Sequence, residues 1–225
     1  MDTDIAKFIT QEDLSVFKRC ESSCSAIKFL GQVSDKSDTT VSQQQNVLVR
    51  DFLITKVIMA SACRSGVISN MTLGEFRKCC IIDDHRVISV NEHEKGSNAW
   101  SCKFVLNCTL FSWLAIYSHF IRTKISKNND DASVVFISWK GEPLTSGHMF
   151  HSLQTMWKNA GLEENITCTT VQKTAASAMH QQHPITRASL ADLMSHRLST
   201  ATKSYRFPDS WVKMCIQLPP PFHIR

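Results

Sequence analysis

Two alternating, β-branched segments stand in the middle of a chain whose other periodic segments have helical spacing. Residues 86–91 read Arg-Val-Ile-Ser-Val-Asn, and residues 100–106 form a second segment of this kind, with a polar turn containing Gly96 between them. This pattern predicts an antiparallel hairpin. On both sides of it, apolar residues recur three or four positions apart, as in amphipathic helices. The sequence therefore predicts a mainly α fold with a small antiparallel β-hairpin or sheet.

The helical segments can be placed from their apolar spacing. Helices are predicted over residues 11–32, 47–62, 108–124 and 146–160. A further apolar segment follows the second helix at residues 68–76, and a short apolar strand is predicted at 134–137. In helix 47–62 the predicted core stripe consists of Val49, Phe52, Leu53, Val57 and Ala60.

A change in composition predicts the domain boundaries. Residues 33–46 are polar, rich in Ser, Thr and Gln, and lack periodicity, which is typical of a linker. We therefore expect an N-terminal helix and linker over residues 1–45, a main domain over 46–210 and a C-terminal tail over 211–225. The length of 225 residues and the 43% hydrophobic content suffice for a sizeable core.

Positive charge concentrates in the C-terminal part of the chain. The net charge is +5, and residues 140–225 carry nine Lys and Arg against five Asp and Glu, together with six of the nine histidines. A basic half of this kind fits a polyanionic partner.

Cysteine usage and hydropathy exclude several classes of protein. The nine cysteines are odd in number and form no Cys-x-x-Cys pair. The N-terminus is acidic and polar, unlike a secretory signal, so we expect thiols in a reducing, intracellular compartment. No ligand spacing repeats, so no metal site is expected. The longest apolar run, residues 104–117, is too short to cross a bilayer, so no membrane association is expected.

A histidine and a tyrosine stand nine positions apart in a basic setting within residues 193–207. His196 follows an apolar-spaced helix, small hydroxyl residues come next, and Tyr205 lies near Lys203 and beside Arg206. A phenol oxygen can attack a phosphate while cationic groups hold it, so this arrangement suits phosphoryl transfer. The alternative is a surface helix with a capping histidine and a half-buried tyrosine.

A second candidate site residue is an arginine at the end of a helix that is predicted to be buried. Arg64 lies in Ala-Cys-Arg-Ser-Gly-Val-Ile (residues 62–68), directly after helix 47–62. A guanidinium group in this place needs an anionic partner, because its burial without one would be costly. The partner is either an anionic ligand or a nearby acid such as Glu75 or Asp83.

These segments resemble the tyrosine recombinase (phage integrase) family. The family's C-terminal signature, Leu-Gly-His-x-x-x-x-Thr-Thr-x-x-Tyr, is similar to residues 194–205, with His196 and Tyr205 at the same spacing. The family's Thr-Gly-Leu-Arg-Ile-Ser-Glu-Leu aligns without a gap around Arg64, where the arginine is kept and the acidic residue is lost. The order of predicted elements also agrees, so the resemblance covers about residues 46–210.

The resemblance implies a mechanism and the residues for it. Tyr205 would attack a DNA phosphate and form a 3′-phosphotyrosyl link, and Arg64 would hold the phosphate. His196 would bond a phosphate oxygen or assist proton transfer. Lys95, in the hairpin turn, would protonate the leaving oxygen if it is in register; otherwise it is a solvated turn lysine. No metal or nucleotide cofactor is needed, because the phosphotyrosine conserves the bond energy.

The second arginine of the family has no counterpart in this chain. The family's His-x-x-Arg box falls in residues 167–177, where one register places Gln172 on the arginine and another places Lys173 there. The box histidine becomes Thr169 or Thr170. Lysine is a point charge and glutamine carries none, whereas arginine neutralises the transition state with bidentate bonds. The loss costs about 3–4 kcal/mol, or roughly 10²–10³ in rate, by analogy with oxyanion-hole donors.

The expected function is that of a nuclear site-specific recombinase or integrase-like protein that cleaves and rejoins double-stranded DNA, impaired by the missing arginine. A homo-oligomer on DNA is expected, with Lys173 assisting Arg64. The predicted DNA contacts are Gln172, Arg197, Lys203 and Arg206.

Two alternatives remain open at this point. One is a catalytically silent DNA-binding relic or domesticated module of a mobile element. Residues 1–45 favour it, because recombinases usually have a longer core-binding domain before the catalytic one, and this region would be its remnant. The other is an all-helical protein-interaction domain without a role on DNA.

Overall fold

Helices and a small sheet share one hydrophobic core. The computed structural model describes residues 8–36, 39–82, 85–92, 100–162 and 165–182. The helices are α1 (Gln11–Arg19), α2 (Glu21–Asp35), α3 (Gln43–Ser61), α4 (Ser65–Asn70), α5 (Leu73–Arg77), α6 (Cys108–Ile116), α7 (Arg122–Ile125), α8 (Ser146–Asn159) and α9 (Cys168–Gln182). The strands are β1 (Cys80–Ile82), β2 (His85–Glu92) and β3 (Trp100–Asn107). The predicted mainly α fold with a small antiparallel sheet is confirmed.

Helix α3 lies at the centre of this core. Helices α2, α6 and α8 and strand β3 all pack against it. Four members of the predicted stripe are buried, namely Val49, Phe52, Leu53 and Val57, whereas the fifth, Ala60, is exposed. Burial also extends to Ile54 and Ile58, outside the stripe, because a central helix is covered on most of its faces rather than on one.

The predicted hairpin is confirmed and belongs to a three-stranded antiparallel sheet of order β1-β2-β3. Val87 pairs with Val105 and Ile88 with Phe104. The core-facing side chains of β2 and β3 are Ile88, Val90, Cys102, Phe104 and Leu106. Strand β1 was not predicted, because it has only three residues and all of them are exposed, so it shows no alternation.

The predicted helix at residues 11–32 is in fact two helices. The chain becomes extended at Cys20 (φ −64°, ψ 153°), which ends α1 and caps α2. Phe17 in α1 stacks on Phe52 in α3 and on Trp157 in α8, with ring centroids 6.5 and 6.0 Å apart. The two N-terminal helices are therefore part of the same core as α3 and α8.

The predicted helix at residues 108–124 contains a π-helical turn, Tyr117–Ile121, between α6 and α7. Just after this turn, Arg122 is buried, and burial lowers its pKa. Its Nε donates to the Val134 carbonyl at 3.1 Å, and its Nη1 donates to the Asn128 carbonyl at 2.9 Å. A buried cation is thus satisfied by backbone carbonyls of the loop that follows the helix.

The predicted strand at residues 134–137 is wrong. Only two isolated bridges occur there, Thr72 with Val134 and Ile137 with Pro143. The Val134 carbonyl accepts from Arg122, and the Val135 amide donates to the Met71 carbonyl at 2.8 Å, so the segment joins a helix and a loop rather than a sheet. None of the helices within the described ranges is long and apolar enough to cross a membrane.

Candidate functional site

A sharp turn between α3 and α4 brings Arg64 to the surface. Ala62 has a left-handed backbone (φ 50°), and its amide donates to the Ile58 carbonyl at 2.9 Å, which ends α3. This position aligns with the glycine of the family's Thr-Gly-Leu-Arg, a residue that adopts positive φ at little cost. Cys63 then turns inward and is buried, whereas Arg64 is exposed at the N-cap of α4.

Arg64 forms no ion pair with any carboxylate in the described ranges. Glu75, one of the two acids expected to pair with it, is engaged elsewhere. Its Oε2 accepts from the Thr72 amide at 2.9 Å, and its Oε1 accepts from the Asn91 amide at 2.8 Å. The other acid, Asp83, lies outside the described residues. Among the described residues, the exposed guanidinium therefore keeps its donors for an anionic ligand.

The first turn of α9 contacts the residue that follows Arg64. The amide and hydroxyl of Ser65 face the Cys168 thiol in this turn. Burial raises the pKa of this thiol, and the hydrogen bonds from Ser65 lower it. Thr167 caps the helix, since its Oγ1 accepts from the Thr170 amide at 2.9 Å. Helix α9 thus begins directly beside the α3–α4 turn.

Gln172, which one register places on the missing arginine, lies one turn after Cys168. Residues four apart share a helix face, so Gln172 lies on the side of α9 that meets Ser65. Its side chain is 5% exposed, and its Nε2 has no hydrogen-bond partner among the described residues. Lys173, from the other register, is half-buried and lies on the face of Thr169, which is exposed.

The hairpin packs beside the same turn. The Sγ atom of Cys102, in β3, lies 3.1 Å from the Sγ atom of Cys63, next to Arg64. Residues 93–99, which lie between β2 and β3 in the chain and include Lys95, are outside the described residues. The other predicted site residues that lie outside them are His196, Arg197, Lys203, Tyr205 and Arg206. Their places in the site stay predictions.

Three features of the site were not predicted from the sequence. The Thr-x-x-Glu spacing of Thr72 and Glu75 is a capping-box signal, and the box is present. Nothing in the sequence indicates that the same carboxylate reaches Asn91, and nothing indicates that Cys168 meets Ser65.

In the described part of the chain, no three His, Cys, Asp or Glu side chains are placed to hold a metal ion.

Comparison with known proteins decides the family. The sequence model of the phage integrase family matches residues 35–210, which is most of the chain. This chain belongs to the phage integrase family. The matched range of this integrase-family chain contains the four residues that were assigned catalytic roles from the family's motifs, namely Arg64, Lys95, His196 and Tyr205. No curated protein matches the chain.

Three solved structures resemble the integrase-family chain in fold. The XerH site-specific recombinase bound to palindromic difH substrate is 17% identical, with a TM-score of 0.59 over 87% of this chain and 48% of that one. The XerA recombinase is 13% identical, with a TM-score of 0.61 over 99% and 67%. The Tn1549 transposon integrase, in complex with transposon right end DNA, is 13% identical, with a TM-score of 0.55 over 95% and 66%. The chain thus spans about half the length of XerH.

Proposed function

We propose that this chain is the DNA strand-exchange domain of a tyrosine recombinase. Tyr205 attacks a DNA phosphate through its phenol oxygen, the bond from phosphorus to the 5′ oxygen breaks, and a 3′-phosphotyrosyl link forms. The freed 5′-hydroxyl of a second strand then attacks this link and releases the tyrosine. The observation that carries the proposal is the family match over residues 35–210, which includes both Arg64 and Tyr205.

Arg64 is the phosphate-holding residue in this proposal. Its side chain is exposed, and no carboxylate of the described ranges neutralises it. A guanidinium group that is not already paired can give two parallel hydrogen bonds to phosphate oxygens. Lys173 adds a second positive charge, His196 bonds a phosphate oxygen or assists proton transfer, and Lys95 protonates the leaving 5′ oxygen.

The partners are part of the same proposal. The substrate is double-stranded DNA, and XerH, which shares the fold, is described with a palindromic DNA substrate. A palindromic site suits two copies of a protein related by a two-fold axis, so we place a second copy of this chain on the DNA. We also propose a nuclear location, where a protein with free thiols would meet its DNA. The Tn1549 transposon integrase supports an origin in a mobile element.

A catalytically silent DNA-binding module is the second candidate. One observation favours it: an uncharged, buried Gln172 lies on the face of α9 that meets Ser65. A chain with one guanidinium at the phosphate still binds DNA through its basic residues, but it stabilises the pentacoordinate transition state less.

Covalent trapping on nicked duplexes tests the proposal. The wild-type chain and the Tyr205→Phe variant are incubated with nicked duplexes of randomised sequence, denatured and separated on a gel. A protein–DNA adduct from the wild type alone is the expected result. Salt-sensitive DNA binding with no adduct would support the silent module instead. Absence of both adduct and binding at low salt would favour the protein-interaction alternative.

A further inference from the structure

Two buried thiols join the Arg64 turn to the hairpin. The Sγ atoms of Cys63 and Cys102 are 3.1 Å apart, although the residues are 39 positions apart in the chain. Each side chain is 1% exposed. Cys63 lies directly before Arg64, in the turn between α3 and α4, and Cys102 lies near the start of β3. A covalent bond between them would fasten these two parts of the site to each other.

The contact is close to what a disulfide requires. A disulfide holds its sulfurs about 2.05 Å apart, so the two atoms need to approach by about 1 Å. The Cys63 thiol also contacts the Ser61 carbonyl at 3.6 Å. By comparison, the Cys20 thiol contacts the Ser23 hydroxyl at 3.3 Å, and the Cys24 thiol contacts the Arg19 carbonyl at 3.7 Å.

Each buried thiol stands next to an exposed residue in the chain. Arg64, next to Cys63, and Lys103, next to Cys102, are exposed. A small oxidant therefore has a short path to the pair once the turn opens slightly.

We propose that Cys63 and Cys102 are a redox modification site that closes to a disulfide on reaction with a hydroperoxide. One thiolate attacks the peroxide oxygen and becomes a sulfenic acid, with release of water or an alcohol. The second thiol attacks the sulfenic sulfur, the S–S bond forms, and a second molecule leaves as water. Overall the two thiols lose two protons and two electrons, and the hydroperoxide is reduced.

The bond acts on the proposed phosphate site through Arg64, and this consequence rests on the proposed function. Drawing Cys63 toward β3 by about 1 Å moves the backbone that carries Arg64. Displacements of about 1 Å in a catalytic group cost up to about 10²-fold in rate. The oxidised chain therefore gives about 10- to 100-fold less covalent DNA adduct, and reduction with dithiothreitol restores it.

Peptide mapping of the full chain tests bond formation independently of DNA. The chain is treated with hydrogen peroxide, alkylated to block remaining thiols, and digested without reductant. A peptide pair joining Cys63 to Cys102, two hydrogen masses below the sum of its parts and lost on reduction, is the expected product. The bond also raises the Tm by roughly 5–15 °C, because it closes a long loop.

Variants separate this pair from the other thiols. Cys24→Ser, at an exposed position, keeps both the linked peptide and the Tm shift, whereas Cys102→Ala loses both. The wild-type chain alone can refute the disulfide, so the test does not depend on the folding of a variant. The proposal is wrong if Cys63 and Cys102 of the oxidised wild type can still be alkylated, or if they are found as separate sulfinic acids.

Adduct yield then separates the two proposals. A linked peptide together with a lower adduct yield supports the redox site and its action through Arg64. A linked peptide with an unchanged yield overturns the action through Arg64. No adduct in either redox state counts against the strand-exchange function alone, because the linked peptide and the Tm shift still report the bond.

Discussion

Arg64 and Gln172 occupy contrasting environments, and one of the two registers places the family's two arginines at these positions. Arg64 is exposed and has no carboxylate partner in the described ranges, so it costs the folded chain little and keeps its charge for a ligand. Gln172 is 5% exposed, and its Nε2 has no hydrogen-bond partner in the described part of the chain. A guanidinium in that place would be desolvated until an anion arrived, which carries a larger cost than a neutral amide. Glutamine at this position therefore favours the DNA-free fold, and in the proposed mechanism it leaves the phosphate with one charged donor fewer.

Replacing Gln172 by arginine is expected to increase the yield of covalent adduct in single-turnover trapping by about 10²–10³-fold, the value of one well-placed donor. The same change is expected to lower the free energy of unfolding without DNA by about 1–3 kcal/mol, measured in urea. Lys173→Arg is the matched control on the neighbouring face. A larger gain from Lys173→Arg than from Gln172→Arg would show that the other register is right.

The buried phenol of Tyr117 makes the free energy of unfolding depend on pH in the alkaline range. Burial raises its pKa to about 12 from 10.0, against the opposing effect of Arg50 and Arg122. Below pH 10 both the folded and unfolded phenols are protonated, so stability is unaffected. Between pH 10 and 12 the unfolded phenol loses its proton first, and the free energy of unfolding falls by up to about 1.4 kcal/mol per pH unit. Tyr117→Phe is expected to flatten this part of the curve in urea titrations at pH 9–12, and an equally steep fall in both proteins would contradict it.

At the scale of elements, helices and strands with strong apolar periodicity could be predicted from the sequence, whereas contacts between distant segments could not. Helix α8 and the β2–β3 hairpin follow local patterns, and both are present. The break at Cys20 and the π-helical turn have no such local signal, and the segment at residues 134–137 looks like a strand although its carbonyls and amides bond to Arg122 and a loop. The Arg64 position was predictable because a buried helix ends there. The contacts of its neighbours Cys63 with β3 and Ser65 with α9 depend on pairs far apart in the chain.

Glu75 couples α5 to the end of β2, and its removal should loosen both. Glu75→Ala deletes the cap on Thr72 and the acceptor for the Asn91 amide, so the free energy of unfolding is expected to fall by about 1.5–3 kcal/mol. Amide exchange at Asn91 should rise with it. Glu75→Gln keeps one acceptor oxygen and should lose about half as much. Lys78→Ala, at an exposed neighbour, should change stability by less than about 0.5 kcal/mol, and an Asn91 amide that stays protected in Glu75→Ala would refute the coupling.

For the molecule as a whole, the N-terminal helices are part of the core rather than an attachment to it. Phe17 stacks between α3 and α8, and the Ile9 amide donates to Thr174 Oγ1 in α9 at 3.2 Å. The sequence suggested a linker near residues 33–46 because polar composition there resembles one, yet such a loop can also join two helices of one core. The helix that carries Gln172 thus receives support from the first described residues of the chain.

Phe17→Ala is expected to lower the free energy of unfolding by about 3–5 kcal/mol, because it leaves a cavity beside Phe52 and Trp157. Removal of residues 1–36 should abolish cooperative unfolding altogether, as seen by circular dichroism during heating. Lys18→Ala, one position along α1 and exposed, should stay within about 0.5 kcal/mol of the wild type. A shortened chain that still unfolds in one cooperative transition would show that α1 and α2 are dispensable.

The shared core also limits how a gene for this domain can be divided. A gene copy truncated between α2 and α3 would encode a chain whose central helix has an uncovered apolar side. Proteases and chaperones in the cell would remove such a product before it met any DNA. Copies of this gene that persist as protein should therefore begin upstream of Ile9, however much their catalytic residues have diverged.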